Sequence, residues 1–174
     1  MQENQQVTTL GPAAQTFGIK IAGTDLNFRA AKVSDPVPTG MQIIEAAGAH
    51  PIGDYIALQW LPNGSLETLR PNETVDLRGK GVERFIVARY EGTTYQFVID
   101  ERPEDWPEPK ITREVLLALA EQNPAKFTVW QERKGADQEI LAGHPANLEP
   151  KGVERFYTVS KRTTEGGDVC PSLA

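Results

Sequence analysis

Phe17, Ile19 and Ile21 alternate with Gly18 and Lys20, and Tyr95, Phe97 and Ile99 alternate with Gln96 and Val98. That period of two predicts a strand with one buried face at each place. Thr39 and Thr112 are suited to cap helices and stand just before apolar residues at helical spacing. These are Ile43, Ile44 and Ala47 after the first, and Val115, Leu116, Leu119 and Ala120 after the second. A helix of about ten residues is predicted after each cap. Each helix is expected to stop near a proline, at His50-Pro51 and Asn123-Pro124, because the residue before proline is disfavoured in the α region. Strands are predicted around Ile56–Trp60 and Phe127–Trp130. The turns Pro62-Asn63-Gly64 and Lys134-Gly135 then predict hairpins, the first leading to a short strand at Leu66–Leu69. Final strands are predicted at Val82–Ala88 and Val153–Val159. Between the opening strand and the helix lie two irregular stretches, one holding Phe28 and Val33, the other the proline-broken acidic run from Glu101 to Lys110. Each fits a hairpin return or an edge strand.

The same order of elements therefore occurs twice, and the residues repeat with it. Lys80-Gly81-Val82-Glu83-Arg84-Phe85 recurs as Lys151-Gly152-Val153-Glu154-Arg155-Phe156, 71 residues later. At the same offset Leu77 faces Leu148, Leu69 faces Ile140, and Ile56-Ala57-Leu58 faces Phe127-Thr128-Val129. Two residues of offset are then added, aligning Thr39, Ile43, Ile44 and Ala46 with Thr112, Leu116, Leu117 and Leu119. Two copies are too few for a solenoid, so each half is expected to fold on its own as a small α+β layer, one helix against one mixed sheet. The expected organisation is an N-terminal tail at 1–15, a first domain at 16–90, a second at 91–160, and a flexible C-terminal tail at 161–174.

Composition narrows the function classes. Hydrophobic residues make up 39% and charged residues 24%, as in a folded soluble protein rather than a disordered one. The net charge of −6 argues against a nucleic-acid backbone or an anionic membrane as partner. A single cysteine, Cys170, cannot form an internal disulfide, and Met1–Thr16 carries neither a basic segment nor an apolar run of signal-peptide type. A cytoplasmic protein is expected.

Val75-Asp76-Leu77 running into Gly81-Val82-Glu83-Arg84-Phe85, and Gly152-Val153-Glu154-Arg155-Phe156-Tyr157-Thr158-Val159, resemble bacterial multiubiquitin-type tandem ubiquitin-like proteins. The likeness spans about residues 16 to 160 and implies two tandem β-grasp, ubiquitin-like domains. It also implies a role as a modifier encoded beside ubiquitination-type enzymes. An E1-like enzyme would activate a C-terminal glycine, an E2-like cysteine would carry it, and the final acceptor would be a lysine amine of a target protein. A JAB-type metalloprotease would trim or release it, in some systems as part of antiphage defence.

The tail gives that implication its chemistry. Gly166-Gly167, the only adjacent glycine pair in the chain, follows the last strand after a short polar spacer. From Val159 to Gly167 the extended backbone can reach about 25 Å, enough to thread an enzyme channel while the domain stays outside. Glycine has no side chain to obstruct such a channel, and its carboxylate is an unhindered acyl group. Seven residues follow, beginning with Asp168, so the glycine carboxylate is masked as an amide and cleavage between Gly167 and Asp168 is expected first. Lys161 and Arg162 are candidate enzyme contacts in the tail. Trp106, amid acidic residues, reads equally as an exposed interface anchor or as a side chain packing the second strand of its domain.

Other chemistry is unsupported. His50 and His144 each stand beside a proline with no metal-ligand spacing, and Cys170 has no neighbouring base. No nucleotide-binding or nucleophile-elbow motif occurs, so neither enzymatic activity nor a cofactor is expected. Two alternatives to a modifier remain: a non-covalent tandem adaptor with an inert tail, and a sulfur carrier using the same glycine, for which a single domain would suffice.

Overall fold

The computed structural model describes residues 15–79, 81–149 and 152–161. Residues 1–14 of the expected N-terminal tail and 162–174 of the C-terminal tail lie outside them. The main division of the chain falls between Glu91 and Gly92, leaving two compact units. The first runs β1 (Phe17–Ala22), β2 (Arg29–Val33), α1 (Gly40–Ala46), a single 3-10 turn (Ile52–Asp54), β3 (Tyr55–Trp60), β4 (Leu66–Leu69) and β5 (Arg84–Arg89). The second runs β6 (Tyr95–Ile99), β7 (Arg102–Trp106), β8 (Lys110–Ile111), α2 (Arg113–Leu119), β9 (Phe127–Gln131), β10 (Gln138–Glu139), β11 (Ala146–Asn147) and β12 (Glu154–Ser160). The five-stranded sheets have the same order, β2-β1-β5-β3-β4 and β7-β6-β12-β9-β10, with one parallel pair at the centre of each, β1 with β5 and β6 with β12. Each unit is thus a mixed sheet with one short helix, and the fold is α+β, two tandem β-grasp domains. No helix among the described residues is long and apolar enough to cross a membrane.

Both helices begin as the caps require. The Thr39 hydroxyl accepts from the Gln42 amide while the Gln42 side chain takes the Thr39 amide at 2.7 Å, a reciprocal box. The Thr112 hydroxyl accepts from the Val115 amide, without the return bond. Both helices are shorter than expected, seven residues, and the prolines do not end them. In the first, the Gly48 amide donates to Glu45 O at 2.8 Å and the Ala49 amide to Ile44 O at 3.3 Å, with Gly48 at φ +73°. The second closes the same way, Glu121 to Ala118 O and Gln122 to Leu117 O, but Glu121 holds φ +57°. A left-handed residue turns the chain three residues before each proline and satisfies the last carbonyls.

The strand pairing corrects one part of the sequence alignment. Phe85 and Phe156 are equivalent, and they face Gln59 and Gln131 respectively. Strand β3 therefore matches β9 at an offset of 72 rather than 71, so Ile56-Ala57-Leu58 corresponds to Thr128-Val129-Trp130. The Lys134-Gly135 turn is one residue shorter than its counterpart and returns the offset to 71 at Leu69 and Ile140. A slip of one residue exchanges the two faces of a strand. At the corrected register Ala57 and Val129, both fully buried, point to the helix side.

In the first domain Ile19, Ile21, Ala57, Phe85 and Val87 of the sheet pack with Ile43 and Ile44 of α1. In the second, Phe97 meets Phe156 edge-on at 6.0 Å, among buried Ile99, Val115, Leu116, Leu119 and Val129. One further device is shared. Arg29 and Arg102 occupy the same position beside the first strand, and each donates to a carbonyl at the end of its helix, Ala47 O and Leu119 O. A cation there complements the negative end of the helix dipole.

Candidate functional site

Strand β12 leads directly to the tail, and Lys161 is the last residue described. Its amide donates to Lys126 O at 2.7 Å and its ammonium to Pro124 O at 3.1 Å. The point at which the tail leaves is therefore tied to the loop before β9, and the Lys161 side chain is occupied locally. Arg162, Gly166, Gly167 and Asp168 lie outside the described residues.

Beside that exit is the sheet face turned away from α2. Alternation along β9 and β12 places Thr128 and Trp130 next to Val159 and Tyr157, with Val98 of β6 and Arg155 beyond them. Val159 is 41% exposed, and Trp130, Tyr157 and Val98 are half-buried. Polar atoms at the margin hold these rings in place. The Trp130 indole donates to the Thr128 hydroxyl at 3.1 Å, and the Tyr157 hydroxyl donates to Asp137 at 2.8 Å. That hydrogen bond, with some burial and the charges of Asp137 and Glu132, holds the Tyr157 phenol above its ordinary pKa. The result is an apolar and aromatic strip on the strand that continues into the tail. Cross-strand pairing of this kind orders a surface without closing it.

The corresponding face of the first domain is different. Leu58 and Ile86 stand where Trp130 and Tyr157 do and are fully buried, and their neighbours Ile56, Ala88 and Trp60 are buried as well. Part of the cover comes from Phe28, whose ring is 5.8 Å from that of Trp60, and from Arg84, stacked 4.5 Å over the same indole.

The repeated Glu-Arg pairs serve the sheets. Glu83 accepts from the Gln59 amide at 3.1 Å and Glu154 from that of Gln131, the same bond in both copies. Arg155 pairs with Glu132 at 3.2 Å. Trp106 is 1% exposed and its indole donates to Lys110 O at 3.1 Å. Of the two readings of this residue, packing holds, and Trp106 offers no contact surface. Its acidic neighbour Glu104 is also buried, paired with Arg102 at 2.7 Å. Sequence reasoning missed the strip on β9 and β12, since the misaligned register placed Thr128 rather than Val129 at the core position.

No curated protein matches the chain. The family model for Multiubiquitin matches residues 23–89 and 95–161, one segment in each domain and most of the chain between them. With two copies of one mixed-sheet fold, each covered by a match, the chain belongs to the Multiubiquitin family.

Proposed function

We propose that this chain is a ubiquitin-like protein modifier, a carried group rather than a catalyst. It is made as a precursor, and hydrolysis of the Gly167–Asp168 peptide bond releases the seven residues after it and frees the Gly167 carboxylate. An E1-like enzyme activates that carboxylate with ATP as an acyl adenylate, releasing pyrophosphate; thiol attack releases AMP and passes the acyl group to an E2-like cysteine as a thioester, and a target lysine amine displaces the thiol to form an isopeptide bond. A JAB-type metalloprotease reverses or prepares the linkage, in a bacterial cytoplasmic system of the antiphage type. The exposed strip of Trp130, Tyr157 and Val159 faces the enzymes.

The observation that carries this reading is the conjunction at the end of β12. The last strand of the second domain presents an exposed apolar strip and then, six residues after Lys161, reaches the only Gly-Gly pair of the chain. An extended segment of that length spans about 20 Å, so an enzyme resting on the strip has the glycine within reach.

The test is co-expression of the N-terminally tagged chain with candidate activating, conjugating and protease partners. Higher-mass tagged adducts are expected. Gly167→Glu should abolish them, and Trp130→Ser with Val159→Ser should reduce them without unfolding the domain. Unchanged biological activity of Gly167→Glu, with no adduct from the wild type, would establish the non-covalent adaptor instead.

A further inference from the structure

We propose that the outer edge of β2 in the first domain accepts an additional strand: an extended segment of a partner protein that carries carboxylates at alternate positions. The inference is independent of the modifier reading.

Strand β2 lies at one end of its sheet. The Lys20 amide donates to Glu83 O at 2.9 Å, so the backbone groups of Lys20 face β5 and those of Ile19 and Ile21 face β2. In the antiparallel register Ile19 opposes Ala31 and Ile21 opposes Arg29, and these exchange the ladder bonds. The amides and carbonyls of Ala30 and Lys32 therefore point outward, and both residues are exposed. Five residues in regular register, without proline, glycine or bulge, form a template for a sixth strand.

The same edge of the second domain is closed. There the Asp100 amide donates to Phe156 O at 3.1 Å, which by the same alternation turns Val98 toward β12 and its partner Pro103 outward. Pro103 stands where Ala30 stands and has no N–H to donate at the centre of the edge. The next outward position, occupied by Lys32 in the first domain, is Asp105.

Side chains decide what the open edge takes. Ile19 and Ile21 enter the core, so Lys20 and Lys32 share the opposite face, diagonal to each other across the β1–β2 pair. Neither makes an ion pair among the described residues. On the helix side, β2 and α1 flank a groove of about 220 Å³ lined by Lys32, Val33 and Ser34 on one side and Asp35, Gln42, Glu45 and Ala46 on the other, where two carboxylates stand against one lysine. A guest strand with acidic residues on the lysine face and small uncharged residues on the helix side satisfies both. A second copy of β2 does not, because self-pairing would gather four lysines on one face.

The test is titration of the full ¹⁵N-labelled chain with a capped octapeptide alternating Glu and Val, followed by NMR at low salt. Shifts and slowed amide exchange are expected at Ala30 and Lys32. Ala30→Pro, which copies the second domain's edge, and Lys32→Glu should each weaken binding about tenfold or more, whereas Pro103→Ala should leave it unchanged. An octapeptide alternating Lys and Val should bind at least as weakly as the variants do. Lys32→Glu is a surface exchange and keeps the test open if Ala30→Pro unfolds. Absence of binding, shifts centred on the second domain, or binding indifferent to Lys32→Glu would each overturn the proposal.

Discussion

The two domains share strand order, cap positions and a central phenylalanine, yet they have settled the same structural problems with different residues. In the first, Arg29 reaches the helix end from beside a small residue, Ala31. In the second, Glu104 stands in the place of Ala31, is 4% exposed, and is bound by Arg102, the equivalent of Arg29. The sheet face away from the helix is buried in the first domain and carries an exposed strip in the second. The outer edge is open in the first and proline-blocked in the second. A shared backbone has thus been given two surfaces, and the shared residues mark what the fold itself requires.

The largest test of that contrast is loss of the arginine. Arg102→Met should destabilise the second domain by about 3 kcal/mol, because it takes the guanidinium away from a buried carboxylate, Glu104. Arg29→Met should cost the first domain only about 1 kcal/mol, the value of one charge-assisted bond to a helix end. Urea unfolding read separately for each domain by hydrogen exchange would measure both. Equal losses would mean that the buried carboxylate is not what distinguishes them.

A smaller effect is expected at the helix ends. Gly48→Ala should destabilise the first domain by about 1 kcal/mol, since its left-handed φ suits glycine. Glu121→Gly should stabilise the second by roughly 0.5–1 kcal/mol, by relieving the same conformation in a residue with a side chain. Thermal unfolding should move in opposite directions for the two variants.

The smallest test concerns a turn. Asp76 and Asn147 are equivalent, and each accepts from the amide two residues on, at 2.9 and 3.0 Å. The Arg78 side chain and amide bonding to Asp76 lower its pKa from 3.8 to about 2. The lowered value means that its contribution is fully present above pH 3.8 and is lost as pH falls through about 2. An NMR titration should find that midpoint in the first domain, and Asp76→Asn should remove it, leaving a turn as insensitive to acid as the one at Asn147.

Much of this architecture was legible in the sequence because it is local or repeated. Thr39 and Thr112 announced their caps, Phe17–Ile21 and Tyr95–Ile99 their strands, and the repeated Gly-Val-Glu-Arg-Phe the last strand of each sheet. What escaped depends on partners far away in the chain. The offset at β3 and β9 could be set only by the strand facing each of them, and with it went the strip of Trp130, Tyr157 and Val159. Trp106 reads equally as an exposed anchor or as packing, and only its burial in the folded domain, beside the buried Glu104 paired with Arg102 on the same strand, decides for packing. The end of the second helix was assigned to a proline because a left-handed glutamate at position 121 leaves no sequence signal, whereas Gly48 offered one in the first.

The central claim, that Gly167 becomes the acyl end of a modifier, has a direct readout. Trypsin cuts after Arg162, so any lysine carrying the processed chain should retain the branch Thr163-Thr164-Glu165-Gly166-Gly167. Mass spectrometry of proteins recovered with the tagged chain is expected to find that five-residue remnant on lysines, and to lose it with Gly167→Glu. Recovery of the unbranched peptide from Thr163 to Ala174 alone, in the presence of competent activating, conjugating and protease enzymes, would contradict the account.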